Sequence, residues 1–272
     1  MTSLRSELST TECTLSDGRT LAYATGGSPD GHPVVVHHGT PGSRLLAALC
    51  YKAAAKRGVR VIVPDRPGYG KSTAPPSGWT WHHWRDDLCE LLEHESIDRA
   101  ALVGFSGGGP FALAAATAER TTRVGLISSV VPPIENALSR LAPVPFALRL
   151  FFELSGPVAR LRGPDAVVGQ LTDRSLSDAR ATAVAAEFHE ALRQGAGAIV
   201  RETRLFAADS FDVTVPDDVP LRAWHGTRDE NAPLEPVERF VADADATVIT
   251  DETDHLGTLL DYRIDALEWA AG

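Results

Sequence analysis

Ser106, Asp229 and His255 occur in that order along the chain, each beyond a short apolar run that reads as a strand. Together they could take a proton off a hydroxyl and drive the oxygen into a carbonyl carbon. Ser106 lies in Gly104-Phe105-Ser106-Gly107-Gly108, between the strand-like Arg99-Ala100-Ala101-Leu102-Val103 and an alanine-rich helical run over residues 110–119. A serine at so sharp a strand-to-helix turn is pushed out above the sheet, and small flanking residues make room for the tight backbone. The helix that follows aims N–H groups near the same point, where negative charge can be held. Alone, the pentapeptide could equally be a glycine-rich turn whose serine caps a helix. Its strand-before, helix-after context favours the nucleophile.

Asp229 closes the segment Trp224-His225-Gly226-Thr227-Arg228-Asp229, which follows an apolar run at 219–223. His255 is expected in the loop after a strand at 246–250. His255 would accept the Ser106 proton while Asp229 fixes its tautomer and stabilises the imidazolium. The tetrahedral intermediate needs two backbone donors. Gly107, next after the nucleophile, supplies one. The other is expected from Thr40 in Gly39-Thr40-Pro41-Gly42-Ser43, because Pro41 has no N–H to give.

Other constellations compete less well. Glu135 follows the preceding strand-like run at 123–131 and is the rival acid, but Asp229 has the better His-Gly-x-x-Asp context. Glu230 is expected to face solvent, and Asp251 and Asp254 share the loop of His255 and need not reach its far nitrogen. His38 is read as a prop for the Thr40 loop rather than a second base. Trp79, Trp81, His82, His83 and Trp84 lack the carboxylate spacing of a metal site and read as helix entry and packing. Asp65 to Ser72 has two glycines but no G-x-G-x-x-G, so no dinucleotide site is expected.

These residues need a scaffold. A hairpin is expected around Asp17-Gly18. Thereafter strands near 34–37, 60–63, 100–103 and 123–129 alternate with helices near 45–56, 84–94 and 110–119, the signature of a mainly parallel sheet with helices on both faces. From Pro132 to Val215 the alternation stops. Pro132-Pro133, Pro143, Pro145, Gly156-Pro157 and Gly163-Pro164 punctuate what reads as short helical pieces. Ala181, Val184, Ala185, Phe188 and Leu192 mark one face of a longer helix starting near Ser177, and residues 200–208 suggest another.

At 272 residues the chain suits one α/β domain with an insertion. Its net charge of −10 opposes attraction to phosphate backbones, so nucleic acid is not an expected partner. No run of eighteen apolar residues occurs, so no membrane partner is expected either. Cys13, Cys50 and Cys89 have no zinc or redox spacing and read as reduced thiols of a cytoplasmic protein.

The combined pieces resemble the serine α/β-hydrolases. The matching residues are His38-Gly39-Thr40-Pro41-Gly42, Asp65-Arg66-Pro67-Gly68-Tyr69-Gly70-Lys71-Ser72, Gly104 to Gly108, the acid loop ending at Asp229, and His255. The resemblance implies an α/β-hydrolase core at 1–131 and 216–272 and a helical cap at 132–215 over the nucleophile. It also implies a cofactor-free enzyme. The expected reaction is cleavage of an ester-like bond (carboxylester, thioester or lactone) in a small or medium, partly apolar molecule, through an acyl-enzyme. Phe105, Phe151 and Phe152 are candidate substrate contacts; Phe146 and Leu150 are further pocket candidates.

Epoxide hydrolases and haloalkane dehalogenases hold an aspartate where this chain has Ser106, which argues against both reactions. Two alternatives remain. One is an aminopeptidase or amidase resembling the proline iminopeptidases, which would need Glu153, Glu187, Glu190 or Glu202 to face a substrate ammonium. The other is a noncatalytic ligand-binding module on the same scaffold. Oligomeric state is not legible.

Overall fold

The computed structural model describes residues 8–134, 139–208, 211–244 and 246–272. Eight strands form one sheet: β1 (Ser9–Thr14), β2 (Thr20–Gly27), β3 (His32–His37), β4 (Val59–Pro64), β5 (Ala100–Phe105), β6 (Thr121–Ile127), β7 (Leu221–Gly226) and β8 (Thr247–Asp251). Their spatial order is β1-β2-β4-β3-β5-β6-β7-β8. The β1–β2 hairpin joins β4 antiparallel, and every pairing from β4 to β8 is parallel. The chain runs outward from β3 to β4, then crosses back to place β5 on the other side of β3. Such a reversal opens a crevice at the carboxyl ends of the two strands, where ligands bind in open α/β sheets. Thr40 follows β3 and Ser106 follows β5, so both stand on that crevice.

The pleat decides which side chains go to which layer. Val35 of β3 and Leu102 of β5 face one layer with Trp84, Leu88 and Leu91 of α2 (Trp81–His94), Phe111 of α3 (Gly109–Ala115) and Val237 of α8 (Leu234–Asp243). Val34, Val36, Ala101 and Val103 face the opposite layer with Ala54 of α1 (Ala47–Lys56) and Leu259 and Leu267 of α9 (His255–Ala271). Each large apolar side chain buried this way contributes about 1.5–3 kcal/mol.

Between β6 and β7 the described residues contain four helices and no strand: α4 (Pro145–Arg162), α5 (Pro164–Val168), α6 (Asp178–Ala191) and α7 (Gly197–Ala207). The expectation of short pieces is corrected at α4, which runs unbroken for 18 residues through Gly156-Pro157. Pro157 faces solvent, whereas Gly156 is buried where a Cβ would stand 3.2 Å from Leu192 Cδ1. Close packing there, together with buried Leu148 and Phe152, holds the helix across the proline. It stops at Gly163, whose φ of 82° lies in the left-handed region, followed by Pro164.

Candidate active site

Ser106 sits at the β5–α3 turn with a φ of 53°, a conformation that a side-chain-bearing residue adopts only under restraint. The restraint is steric and polar together. A Cβ on Gly104 would fall 2.5 Å from Gly109 Cα, so only glycine lets the strand end meet the helix start. The Ser106 carbonyl accepts from Val130 N–H at 3.1 Å, tying the turn to the end of β6.

His255 is not in a loop as the sequence suggested. It opens α9, whose N-cap is Asp254, with Asp254 Oδ1 accepting from Gly257 N–H at 2.8 Å. His255 Nδ1 donates to Asp229 Oδ2 at 2.8 Å, and both side chains are almost wholly buried. Because the carboxylate can only accept, this bond leaves Nε2 as the imidazole's free acceptor. The other Asp229 oxygen accepts from Asn231 and Ala232 N–H, each at 2.9 Å. Burial alone would raise the Asp229 pKa; His255 and the Ala232 N–H outweigh it, and the carboxyl lies below its usual range. Phe105, beside Ser106, packs its ring 5.0 Å from the His255 ring.

On the other flank, the loop after β3 presses against the Ser106 turn. A Cβ on Gly39 would lie 3.4 Å from Ser106 Cβ, and one on Gly107 only 3.1 Å from Thr40 N. The backbone at Gly39–Thr40 and that at Ser106–Gly107 are therefore in close contact. Neither the Thr40 N–H nor the Gly107 N–H finds an acceptor among the described residues.

A buried polar network fixes that loop. Arg66 and Glu202 are both fully buried and paired, Nε to Oε1 at 2.8 Å and Nη2 to Oε2 at 2.8 Å. Arg66 Nη2 also donates to Gly39 O and to Thr40 Oγ1, both at 2.9 Å. Thr40 Oγ1 donates to Glu202 Oε2 at 2.5 Å, and Tyr69 Oη donates to the same oxygen at 2.9 Å. Glu202 belongs to α7, so a helix of the insert supplies the anion that balances a core arginine. Tyr69 is part of this network. His38 is held as a prop: its Nε2 accepts from Arg66 N–H at 3.2 Å, and Nδ1 donates to Gly39 O at 2.8 Å. Burial, reinforced by the nearby guanidinium, pushes its pKa well below the usual value and keeps it neutral.

A second seam lies alongside. Buried Asp65 accepts from Arg44 N–H at 2.6 Å and from Arg44 Nη1 at 2.7 Å, and the same Nη1 reaches Glu190 of α6 at 2.7 Å. Glu187 Oε1 accepts from Ser43 N–H at 3.0 Å. Burial of the Glu187 carboxyl pushes its pKa up to about 8.

The remaining candidates fall elsewhere. Phe152 is buried with Tyr69, Leu148 and Ile199 inside the insert's own small core. Phe151, Phe146 and Leu150 are 55%, 76% and 46% exposed. The structure does not gather these four with Ser106 and His255. Glu135 lies outside the described residues; Glu230 is exposed. No group of three or more potential metal ligands occurs among the described residues. Sequence reasoning missed the Arg66–Glu202 pair. Its trace was a charge within the stripe Ile199, Glu202, Phe206 of α7, on a face otherwise buried.

The fold and this constellation define a class, and comparison with known proteins agrees: residues 32–255 match the family model for the alpha/beta hydrolase fold, and the chain belongs to that family. Among curated relatives, a non-heme chloroperoxidase of Streptomyces lividans is 34% identical over 158 residues, covering 55% of this chain and 54% of that one. A bifunctional esterase/perhydrolase of Acinetobacter calcoaceticus is 31% identical over 122 residues, 44% of each chain. The chain thus spans about half the length of the curated relatives it matches. An esterase from Exiguobacterium antarcticum superposes with a TM-score of 0.72 over 95% of this chain and 97% of that one, at 19% identity, a likeness of fold.

Proposed function

We propose that the protein is a serine ester hydrolase working through an acyl-enzyme. The observation that supports this reading is the His255–Asp229 hydrogen bond beside the Ser106 turn: Ser106 has a φ of 53°, its neighbour Phe105 packs on the His255 ring, and the Thr40 loop meets the turn from the other flank. His255 Nε2 takes the Ser106 proton as Oγ attacks the carbonyl carbon. Thr40 and Gly107 hold the oxyanion, and Asp229 stabilises the imidazolium. The imidazolium then protonates the leaving alkoxide or thiolate. In the second half His255 takes a proton from water as the water oxygen attacks the acyl carbon; the bond to Ser106 Oγ then breaks, the imidazolium returns the proton to Oγ, and the acid departs. No step requires a cofactor.

Residues 132–215 are read as a cap over Ser106. In support, the insert touches both flanks of the turn. Glu202 and Glu187 meet the 40–44 loop, while Leu171 O accepts from Leu256 N–H at 2.9 Å and Thr172 Oγ1 donates to Asp254 Oδ2 at 2.8 Å. The aminopeptidase reading is weaker, because each carboxylate it could use is engaged. Glu153, Glu190 and Glu202 are in ion pairs, and the raised pKa of Glu187 keeps it largely protonated near neutrality. A reducing, cytoplasmic setting fits the three free thiols.

The test is a panel of ester, thioester, lactone and aminoacyl-amide substrates run on the wild type and Ser106→Ala, with phosphonate labelling. Hydrogen peroxide is added as a competing acyl acceptor because of the relative named esterase/perhydrolase. The expected result is ester turnover, a single adduct on Ser106, and a loss of roughly 10³-fold or more in kcat for the variant. Adduct formation elsewhere, or undiminished turnover in Ser106→Ala, overturns the mechanism. No turnover of any substrate, despite an intact fold, would favour a binding module.

A further inference from the structure

Helix α4 carries two apolar faces, and only one has a partner. Leu148, Phe152 and Gly156 are buried against the rest of the insert. Phe146, Leu150, Leu154, Val158 and Leu161, spaced by four, four, four and three, form a stripe on another side of the helix. They are 76%, 46%, 59%, 45% and 89% exposed, and Phe151, Val144 and Leu141 extend the patch. Weighted by exposure, at roughly 150–250 Å² for a large side chain, the eight offer on the order of 800 Å². The largest apolar patch on a typical monomer is about 300–600 Å².

The charge beside this patch is mainly positive: against Asp165, at the start of α5, stand three exposed arginines. Arg140, Arg160 and Arg162 are exposed and have no ion-pair partner among the described residues, while Arg149 is neutralised by Glu153 at 2.7 Å. Three arginines without an ion-pair partner among the described residues, beside an apolar stripe in a chain of net charge −10, are a local inversion of the protein's field. Arg160 also lines an open groove of about 690 Å³ with Arg193 and His189, where His189 Nδ1 is buried without a partner. Glu190 shares that groove, held by Arg44 at 2.7 Å and by Arg193 at 3.6 Å, so Arg160 is the groove's one guanidinium without an ion-pair partner among the described residues. An apolar helix face edged by arginines is the arrangement of helices that lie in the plane of a lipid–water interface.

We propose that the outer face of α4 is an adhesion surface for anionic lipid, with the stripe lying among the acyl chains and Arg160, Arg162 and Arg140 at the headgroups. A second copy of the chain fits less well, since pairing two such faces would bring two sets of unpaired arginines together. The inference departs from the sequence-based expectation of no membrane partner. That expectation rested on the lack of a spanning run; among the described residues no helix is long and apolar enough to cross a membrane, but a surface helix needs no such run. The proposal is independent of the reaction assigned to Ser106.

The experiment is flotation of the full chain with vesicles of pure phosphatidylcholine and of phosphatidylcholine with one-third phosphatidylglycerol, at low and high salt. Sedimentation velocity of the free protein runs in parallel. Binding is expected to the anionic vesicles, at least tenfold stronger than to neutral ones and weakened by salt. Leu154→Glu, at an exposed site and with an unchanged melting midpoint as control, should lower it at least tenfold. Arg160→Ala with Arg162→Ala should lower it severalfold. Equal binding to both vesicle types, or no binding to either, overturns the proposal. So does a dimer that Leu154→Glu dissociates while vesicle binding is unaffected, which would assign the face to a second copy.

Discussion

The two flanks of Ser106 are held in place by different means. On the His255 side, the sheet and its own loops do the positioning: Asp229 follows β7, His255 opens α9, and backbone N–H groups of Asn231 and Ala232 orient the carboxylate. On the Thr40 side, a buried ion pair does it, and one member comes from α7 of the insert. The first arrangement draws its acid, its imidazole and the orienting N–H groups from the core, and the insert only adds contacts at the start of α9 through Leu171 and Thr172. The second exists only while insert and core are docked. Backbone donors come at little entropic expense once strands form, whereas two buried charges tolerate only each other. The acid–base pair should therefore respond to mutation as local chemistry, and the Thr40 loop as a coupled structure.

The sharpest contrast comes from Asp229→Asn. The amide can hold His255 in the wrong tautomer while the fold persists, so kcat should fall by roughly 10³–10⁴-fold with an unchanged melting midpoint. Steady-state turnover of an activated ester and a thermal scan check it. A variant that unfolds instead would show that this flank is as structurally coupled as the other.

Glu202→Gln should do both kinds of damage. It leaves the Arg66 guanidinium buried without its counter-charge, which costs about 3–5 kcal/mol of stability. Thr40 loses a fixed acceptor, and kcat should fall by roughly 10–100-fold, less than the 10²–10³ for outright removal of an oxyanion donor. Replacing both partners, Arg66→Met with Glu202→Leu, should restore most of the stability but little of the rate. Recovery of both would mean that the pair holds the insert without positioning Thr40.

Glu187 gives the smallest and most graded effect. Burial lifts its carboxyl to a folded pKa of about 8 from an ordinary 4.5. The native state thus binds the proton more tightly, and the stability this confers is full below the ordinary carboxyl range and lost as pH rises toward and through about 8. Glu187→Gln keeps an acceptor for Ser43 N–H but cannot ionise. Its melting midpoint should pull ahead of the wild type between pH 5 and pH 9, by roughly a few °C. Parallel curves would place the Glu187 carboxylate in water.

The asymmetry also explains what could be read from the sequence. The positions of Ser106, Asp229 and His255 could be picked out because each follows within four residues of a strand end, and local patterns announce strand ends. The Arg66–Glu202 pair joins positions 136 residues apart, and no periodicity links a βα turn to a helix in an insertion. The α9 start was misread because Asp254 looked like one more loop acid; with Gly257 three residues on, it is a helix cap. Gly156-Pro157 misled for a related reason. The dipeptide carries a breaking signal, and only contact with Leu192 shows why the helix ignores it.

The attachment of the insert on both flanks has a mechanical consequence. Leu171 and Thr172 grip the start of α9, and Glu202 and Glu187 grip the loop after β3. A body riveted at two points on opposite sides of a turn cannot swing about either one as a hinge. Substrate traffic has to use whatever is not riveted, and α4, which packs chiefly on α5, α7 and the turn at Ser139–Leu141, is the longest such element. A displacement of α4 alone would leave both grips intact.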